Sequence, residues 1–378
     1  MKEHKIHHLI AISGFVLIGV FFIFGTLYSK KTEIKIIKQE QKDILELNKK
    51  YITKPIHVKG IYMSSWVAGT KSVRDNLTIL IYKTEINSVV IDFKDSTGIV
   101  SIPAQIDATI DRKNAQSNRV INLKDYIQEL HDNDVYVIAR IACFQDPIYS
   151  KNHINGSVQN LNGSLWVDKH NLSWVDPANK DFQKYILDLS IEAYDLGFDE
   201  INLDYIRYPT DGSIHKVFPI SMENSQQNVI KQFVIYMHDN LKNKNIPLSI
   251  SVFGQIVSDK NDMGIGQYYE DLLPYVDSIS PMIYPSHFYK GYKDLINPEK
   301  SPYDTIYFSL KDAIYRRDLL GVDTEIRPWL QDFSLAVSYN EKEVEAQIKA
   351  ANDLGIYSFL LWDPKNHYTE EALKVEFN

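Results

Sequence analysis

The sequence predicts a (β/α)₈ TIM barrel preceded by an N-terminal transmembrane helix and a stalk. Three features indicate this: one apolar segment near the N-terminus, a charged stretch after it, and short β-branched runs that alternate with amphipathic runs from Val58 onward. The 378 residues suffice for one barrel of about 250 residues with an appendage. We expect a cytoplasmic tip and signal-anchor over 1–29, a stalk over 30–55 and the barrel over 56–378.

The apolar segment runs from Leu9 to Tyr28 without a charged residue, which is the length that a helix needs to cross a bilayer. Lysines flank it on both sides, so the positive-inside rule leaves its orientation open. Its N-terminal position favours export of the rest of the chain, and residues 25–29 lack a clear small-residue cleavage pattern, which favours retention. We therefore expect a single-pass protein of the cell membrane with an extracytoplasmic barrel.

The segment over residues 30–55 is rich in charged side chains. Its isoleucine and leucine residues fall at only loosely helical spacing. A solvated stalk therefore fits this segment better than a helix that binds a partner.

Eight strands and seven helices are predicted after the stalk. The strands cover 58–66, 88–95, 135–144, 200–208, 247–254, 277–284, 325–332 and 356–363. The helices cover 73–86, 122–133, 181–197, 225–243, 266–275, 303–319 and 341–354, and a short last helix follows from Tyr368. Gly197, Gly321 and Gly355 each follow a helical run, as helix-ending glycines do. Eight strands in βα units favour closure as a barrel over an open sheet.

Strand side chains in a barrel alternate between the lumen and the helix ring, and active sites lie at the C-terminal strand ends. On the fourth strand, Ile201, Leu203 and Tyr205 are expected to face the helices. The residues expected to face the lumen are Asp92, Lys94, Arg140, Asn202, Asp204, Ser249, Ser251, Ser280, Tyr284, Arg327, Trp329, Gln331 and Trp362. So many polar groups in a lumen require either mutual ion pairing or a ligand.

The composition excludes several functions. The net charge is −8 and no concentrated basic face is present, which argues against a nucleic-acid partner. The sequence has no G-x-S-x-G elbow, no phosphate-binding glycine loop and no acidic or histidine cluster at metal-ligand spacing, so we predict no cofactor and no catalytic metal. The 24 tyrosines and 5 tryptophans offer flat, hydrogen-bonding surfaces of the kind that suit sugars.

Several segments, each at or just after a predicted strand, resemble one known family. They are VVIDFKDSTG (89–98), VIARIACFQDP (137–147), WVDP (174–177), LGFDEINLDYIRYPTDG (196–212), DMGIGQ (262–267), DSISPMIYPSHF (277–288), RPWLQDF (327–333) and LLWDP (360–364). In this order they resemble the putative glycosyl hydrolase domain family of bacterial (β/α)₈ proteins. The resemblance implies a hydrolase directed at a polysaccharide or oligosaccharide.

Glycoside hydrolysis generally uses two carboxyl groups that flank the scissile bond. Asp204, in LDYIRYP, matches the position on strand four that supplies the nucleophile in similar barrel glycosidases, and it is our first catalytic candidate. An ion pair with Arg207 or Arg327 is the structural alternative for this carboxylate.

The sequence leaves the second carboxyl group open. Asp92, Asp146 and Asp332 all lie at predicted C-terminal strand ends, and each has an alternative role as a loop cap or an arginine partner. We select Asp92 as the second catalytic candidate. The predicted substrate-binding residues are Lys94, Arg140, Asp146, Arg207, Tyr284, Gln331, Asp332 and Trp362.

One residue departs from the family pattern. Family members carry an inward acidic residue in a D-V-F-G segment on strand five, whereas this chain has Ser251 in SVFG. A serine cannot replace a carboxyl group in proton transfer near neutral pH. The leading hypothesis is an exported glycosidase that acts on a cell-envelope or environmental polysaccharide. The alternatives are a catalytically impaired barrel that binds glycan or scaffolds envelope proteins, and a barrel enzyme of different chemistry.

Overall fold

A computed structural model describes residues 51–102, 115, 117–213, 215–221 and 224–373 of the chain. The predicted anchor, Leu9 to Tyr28, and most of the predicted stalk lie outside these residues. Within them, no helix combines the length and the apolar character that a membrane crossing requires. The fold below belongs to one compact unit, Ile52–Asn378.

Eight parallel strands close into a barrel in chain order, which confirms the predicted topology. The strands are β1 (Lys59–Met63), β2 (Ser88–Lys94), β3 (Tyr136–Ala142), β4 (Glu200–Asp204), β5 (Leu248–Phe253), β6 (Ser278–Met282), β7 (Glu325–Ile326 and Trp329–Gln331) and β8 (Phe359–Trp362). Strand β7 has two segments because it is interrupted at Pro328, which lacks a backbone N–H. Its second segment pairs with both β6 and β8 and so closes the barrel.

Helices follow most of the strands, largely where the sequence predicts them. They are α1 (Ser65–Gly69), α2 (Lys71–Lys83), α3 (Leu123–His131), α4 (Pro147–Asn152), α5 (Lys180–Leu196), α6 (Gln226–Lys242), α7 (Tyr269–Leu272), α8 (Pro302–Leu320) and α9 (Glu341–Asn352). Gly197 and Gly321 end α5 and α8 at φ values of 122° and 69°, which side-chain-bearing residues rarely adopt. The described part of the predicted last helix is a single 3₁₀ turn, Glu370–Ala372.

The predicted alternation sorts the strand side chains correctly on β3 and, as far as Phe93, on β2. Val89, Ile91 and Phe93 of β2, with Val137 and Ile141 of β3, are fully buried in the main apolar core between barrel and helices. A smaller apolar cluster lies on the other face of the strands; its buried members are Val58, Tyr62, Val90, Tyr136, Ile138, Tyr284, Trp329 and Leu360. The lumen is therefore a packed interior.

The inward charges near the N-terminal ends of the strands are paired with each other. Arg327 is fully buried, and its guanidinium contacts both carboxylate oxygens of Glu200, with Nη1 3.2 Å from Oε2. The Ser249 hydroxyl donates to the same carboxylate. Mutual ion pairing therefore accounts for the charges in this layer, and a ligand is not required there.

Candidate active site

A cavity of about 390 Å³ lies at the C-terminal ends of the strands, where barrel enzymes keep their active sites. Its lining comprises Arg140, Asp204, Tyr205, Arg207, Phe253, Gly254, Gln255, Met263, Gln267, Met282, Tyr284, His287, Phe288, Trp329 and Trp362. Of the predicted site residues, this lining contains Arg140, Asp204, Arg207, Tyr284 and Trp362, and it lacks Asp92, Lys94, Asp146, Gln331 and Asp332.

Asp204 ends β4 and is the one carboxylate among the described residues that line the cavity. Its Oδ2 accepts hydrogen bonds from Nε and Nη2 of Arg140, at 2.9 and 2.6 Å. Its Oδ1 accepts from the backbone N–H of Tyr205 at 2.6 Å. Accepting three hydrogen bonds, two of them from a guanidinium, is a role for an ionised carboxylate. The site therefore holds a negative charge in a fixed place beside the cavity.

Asp92 lies on the other side of the same guanidinium. Its Oδ1 is 2.5 Å from Nη1 of Arg140, and its Oδ2 accepts a hydrogen bond from the Tyr62 hydroxyl at 2.6 Å. Burial raises the pKa of Asp92, although Arg140 and Tyr62 oppose this shift. The side chain is buried and contacts Arg140, so Asp92 is placed to orient Asp204 through the arginine. Its predicted catalytic role stays a prediction.

Aromatic rings form one wall of the cavity. Trp362 stacks on Tyr62 with ring centroids 4.0 Å apart, and Trp329 meets Trp362 edge-on at 5.6 Å. Tyr284 also lines the cavity and packs in the same apolar cluster as Trp329. Rings that pack against one another lose little freedom when a ligand arrives, so this wall is preorganised.

Tyr205 is a cavity residue that the alternation rule misplaces. Strict alternation predicts that Tyr205 faces the helices, whereas in the structure it lines the cavity. Its φ of 52° lies in the left-handed region, which ends the alternation directly after Asp204 and costs a non-glycine residue roughly 1–3 kcal/mol. This backbone conformation also brings the Tyr205 N–H onto the Asp204 carboxylate. The sequence carries no signal for it, because tyrosine does not favour positive φ.

Lys94 and Asp146 form a buried ion pair away from the cavity lining. Lys94 Nζ is 3.0 Å from Asp146 Oδ2 and donates to the Ala142 carbonyl oxygen at 2.6 Å. The expected inward orientation of Lys94 is wrong, because the β2–β3 register shifts between Asp92 and Lys94. Its ammonium lies 5.9 Å from the Phe182 ring of α5 instead. Asp146 caps α4 by accepting two backbone hydrogen bonds, which is the loop-cap alternative for this residue.

Gln331 and Asp332 hold loops beside the cavity. The Gln331 side chain accepts from the Ser286 N–H at 3.1 Å and donates to the Phe333 carbonyl oxygen at 2.8 Å. Asp332 accepts from the backbone N–H and the hydroxyl of Thr369, at 2.9 and 2.6 Å. These contacts fix the loop after β6 and the C-terminal segment.

The buried carboxyl group of Asp332 should make the stability of the fold depend on pH. Burial raises its pKa to about 6, so in the range between its unfolded value near 3.9 and pH 6 the folded state binds a proton that the unfolded state releases. Folding is therefore penalised progressively as pH rises through this range. We expect Asp332→Asn to be more stable relative to wild type at pH 7.5 than at pH 4, by roughly 2–3 kcal/mol. Urea unfolding at both pH values measures the difference, and a pH-independent difference would contradict the assignment.

Ser251 lies beneath the aromatic wall. Its hydroxyl donates to Asn202 Oδ1 at 2.8 Å and accepts from Nε1 of Trp329 at 2.9 Å. It is 1% exposed and is not part of the cavity lining. Ser251 therefore supports Trp329 and is not one of the residues that line the cavity.

Two further lining residues, His287 and Gln267, come from loops after β6 and β5. The Nδ1 atom of His287 lies 2.9 Å from the Ser286 hydroxyl, and burial lowers the pKa of the imidazole. Gln267, in the DMGIGQ segment, accepts from the Phe253 N–H at 2.9 Å. In the described part of the chain, no group of three or more His, Cys, Asp or Glu side chains could hold a metal ion.

Several solved structures are similar to this chain. The PgaB (BpsB) glycoside hydrolase domain from Bordetella bronchiseptica aligns with 85% of this chain and 100% of its own, at 12% identity and a TM-score of 0.57, which shows a common fold. A hypothetical protein from Ruminiclostridium thermocellum ATCC 27405 is 32% identical over 54% of this chain and 98% of its own, with a TM-score of 0.47. A chitinase from Chromobacterium violaceum ATCC 12472 is 13% identical over 84% and 96%, with a TM-score of 0.47.

No curated protein matches the sequence. A family model described as "putative glycosyl hydrolase domain" matches residues 60–368, which include every lining residue of the cavity and all of the barrel strands except Lys59, the first residue of β1. The chain therefore belongs to the putative glycosyl hydrolase domain family.

Proposed function

We propose that the chain hydrolyses a glycosidic bond of a polysaccharide or oligosaccharide in this cavity, with Asp204 as the carboxylate that faces the anomeric carbon. The observation that carries the proposal is the position of Asp204 at the end of β4, inside the cavity and fixed by Arg140 and the Tyr205 N–H. Glycoside hydrolysis develops positive charge on the sugar ring in its transition state. A fixed negative charge beside that ring stabilises the transition state without reorganisation.

The cavity wall suits a sugar ring. The apolar face of a sugar packs against aromatic side chains, and the partly buried Trp362 offers such a ring beside Asp204, with the buried Trp329 and Tyr284 completing the aromatic lining. The cavity volume of about 390 Å³ falls in the usual range for small-molecule sites. Membership of a glycosyl hydrolase family supports the same ligand class.

A second candidate function is glycan binding without turnover. Hydrolysis generally uses two carboxyl groups, whereas Asp204 is the one carboxylate among the described residues that line the cavity. Ser251, which stands where the resemblance leads us to expect an acidic residue, is hydrogen-bonded to Asn202 and Trp329. These two observations favour a binding barrel.

The two functions separate in one experiment. The purified full-length chain and Asp204→Asn are incubated with a panel of cell-envelope and environmental glycans, and products are detected by mass spectrometry while binding is measured by calorimetry. Products from wild type that are lost in the variant support the hydrolase. Binding by both proteins without products supports the binding barrel, and the absence of both binding and products rejects the two functions together.

We also propose that the barrel is exported and remains anchored by Leu9 to Tyr28. The charge-free apolar segment is the basis of this proposal. We expect the full-length chain in the membrane fraction and a chain that lacks residues 1–29 in the soluble fraction. External protease should degrade the barrel in cells whose outer layers have been removed. Recovery of the full-length chain as a soluble protein, or protection from protease, would contradict the proposal.

A further inference from the structure

Arg207 is a buried cation at the edge of the cavity. It follows β4 by three residues, lines the cavity with Asp204 and is 6% exposed. Its guanidinium carbon lies 4.7 Å from the Trp174 ring centroid and 4.8 Å from that of Phe253. The two rings hold the guanidinium in place by cation–π contact. Its N–H groups point outward in the plane of the guanidinium, where they need hydrogen-bond acceptors.

The described residues satisfy little of this hydrogen-bonding capacity. A guanidinium has five N–H donors, and the hydrogen bond of Arg207 seen in the described part of the chain runs from Nη1 to the Tyr208 carbonyl oxygen, at 3.1 Å. Its ion pair with Asp211 is 3.7 Å long, beyond the 2.7–2.9 Å of a charge-assisted hydrogen bond. Burial outweighs the nearby carboxylates and lowers the pKa of Arg207.

The two buried carboxylates near Arg207 accept hydrogen bonds from other side chains. Asp204 is bound by Arg140. Asp168 accepts from Gln145 Nε2 at 2.7 Å and from Trp174 Nε1 at 3.1 Å. By contrast, Arg140 contacts two carboxylates directly. Arg207 therefore has hydrogen-bond donors to spare at the cavity wall, and its ion pair with Asp211 is too long to use them.

We propose that the cavity takes an acidic glycan and that Arg207 binds the carboxylate of one of its uronic acid residues. A planar carboxylate matches the planar fork of a guanidinium and supplies charged acceptors at hydrogen-bond distance, which Asp211 at 3.7 Å does not; a neutral hydroxyl supplies an uncharged acceptor alone. Arg207 and Asp204 line the same cavity, so the acidic group would lie close to the bond at Asp204. The inference rests on the proposed function in taking a glycan as the ligand.

The test compares acidic oligosaccharides with their carboxyl-reduced, neutral counterparts. Oligogalacturonate, oligomannuronate and hyaluronan oligosaccharides are titrated calorimetrically into the full-length chain, with a sulfated galactan as a carboxylate-free anion. We expect at least one acidic oligosaccharide to bind roughly 10- to 100-fold more tightly than its reduced form. Arg207→Gln should abolish this preference while the affinity for the reduced form stays within about twofold.

Two further variants keep the test decisive. Arg207→Lys retains the charge without the planar fork, so it should retain part of the preference, and it replaces Arg207→Gln if that variant does not fold. Arg316→Gln changes a guanidinium that already pairs with Glu270, and the preference should be unaffected. Equal affinity for acidic and reduced forms, a preference that survives Arg207→Gln, binding of the sulfated galactan alone, or no binding of any acidic oligosaccharide would each overturn the inference.

Product analysis in the same samples distinguishes this inference from the proposed function. Acidic oligosaccharides that bind through Arg207 but are not cleaved would refute the hydrolase and keep the inference. Cleavage of acidic and neutral glycans with equal efficiency would keep the hydrolase and refute the inference.

Discussion

Asp204→Asn is expected to lower kcat/KM for glycan hydrolysis by at least about 10²-fold, or about 3 kcal/mol of transition-state stabilisation. The substitution removes the negative charge that faces the sugar ring and keeps the shape of the side chain. The amide has one oxygen, which can accept either from the Tyr205 N–H or from Arg140, and in both cases Arg140 keeps its contact with Asp92. We therefore expect the fold and glycan binding to persist while turnover is lost, as measured by initial rates and calorimetry.

Asp188→Asn is the matched control for this loss. It makes the same chemical change on α5, where Asp188 pairs with Lys184 on the exposed face of the helix. Its kcat/KM should equal that of wild type. Hydrolysis that persists in Asp204→Asn at a rate within about threefold of wild type would remove Asp204 from the reaction, because a factor of three corresponds to less than about 1 kcal/mol.

Glu200→Ala is expected to lower the free energy of unfolding by about 3–5 kcal/mol. The variant leaves Arg327, which is fully buried, without the carboxylate that its guanidinium contacts. It also removes the nearer acceptor of the Ser249 hydroxyl, whose other acceptor, the Ile201 carbonyl oxygen, lies 3.4 Å away. An uncompensated charge in the barrel interior costs far more than the lost contact alone. Urea unfolding followed by tryptophan fluorescence measures the change.

Two comparisons isolate the buried charge as the cause. Asp188→Ala breaks the exposed pair with Lys184 and should cost no more than about 1 kcal/mol. The double variant Glu200→Leu/Arg327→Met removes both charges and should recover most of the stability that Glu200→Ala loses. A Glu200→Ala variant as stable as Asp188→Ala would show that the lumen pair does not support the barrel.

The strands and the charged lumen could be predicted because both depend on local pattern. Alternation along β2 and β3 follows the pleat, so Phe93 and Arg140 could be assigned to opposite faces from sequence alone. Asp204 could be placed at the site because it ends a strand whose alternation is regular up to that residue. The sequence suggests Arg207 or Arg327 as the ion-pair partner of Asp204, and this is wrong: the carboxylate is bound by Arg140 of the neighbouring strand β3, because the choice depends on which inward side chain lies beside it.

The remaining site residues depend on irregular backbone and on long-range contacts, which leave no local pattern. Lys94 leaves the lumen at a register shift, and Tyr205 enters the cavity through a positive φ. Gln331 and Asp332 lie at a strand end as predicted, but their partners Ser286 and Thr369 are far away along the chain and take them out of the cavity lining. A rule based on strand ends cannot distinguish a side chain that faces a ligand from one that holds a loop.

The role of Asp204 can be tested with a structure of Asp204→Asn bound to an oligosaccharide that wild type cleaves. We expect a sugar ring against Trp362, with its anomeric carbon about 3–3.5 Å from the side chain of residue 204. A sugar bound elsewhere on the barrel, or one whose anomeric carbon is separated from residue 204 by Arg140, would contradict it.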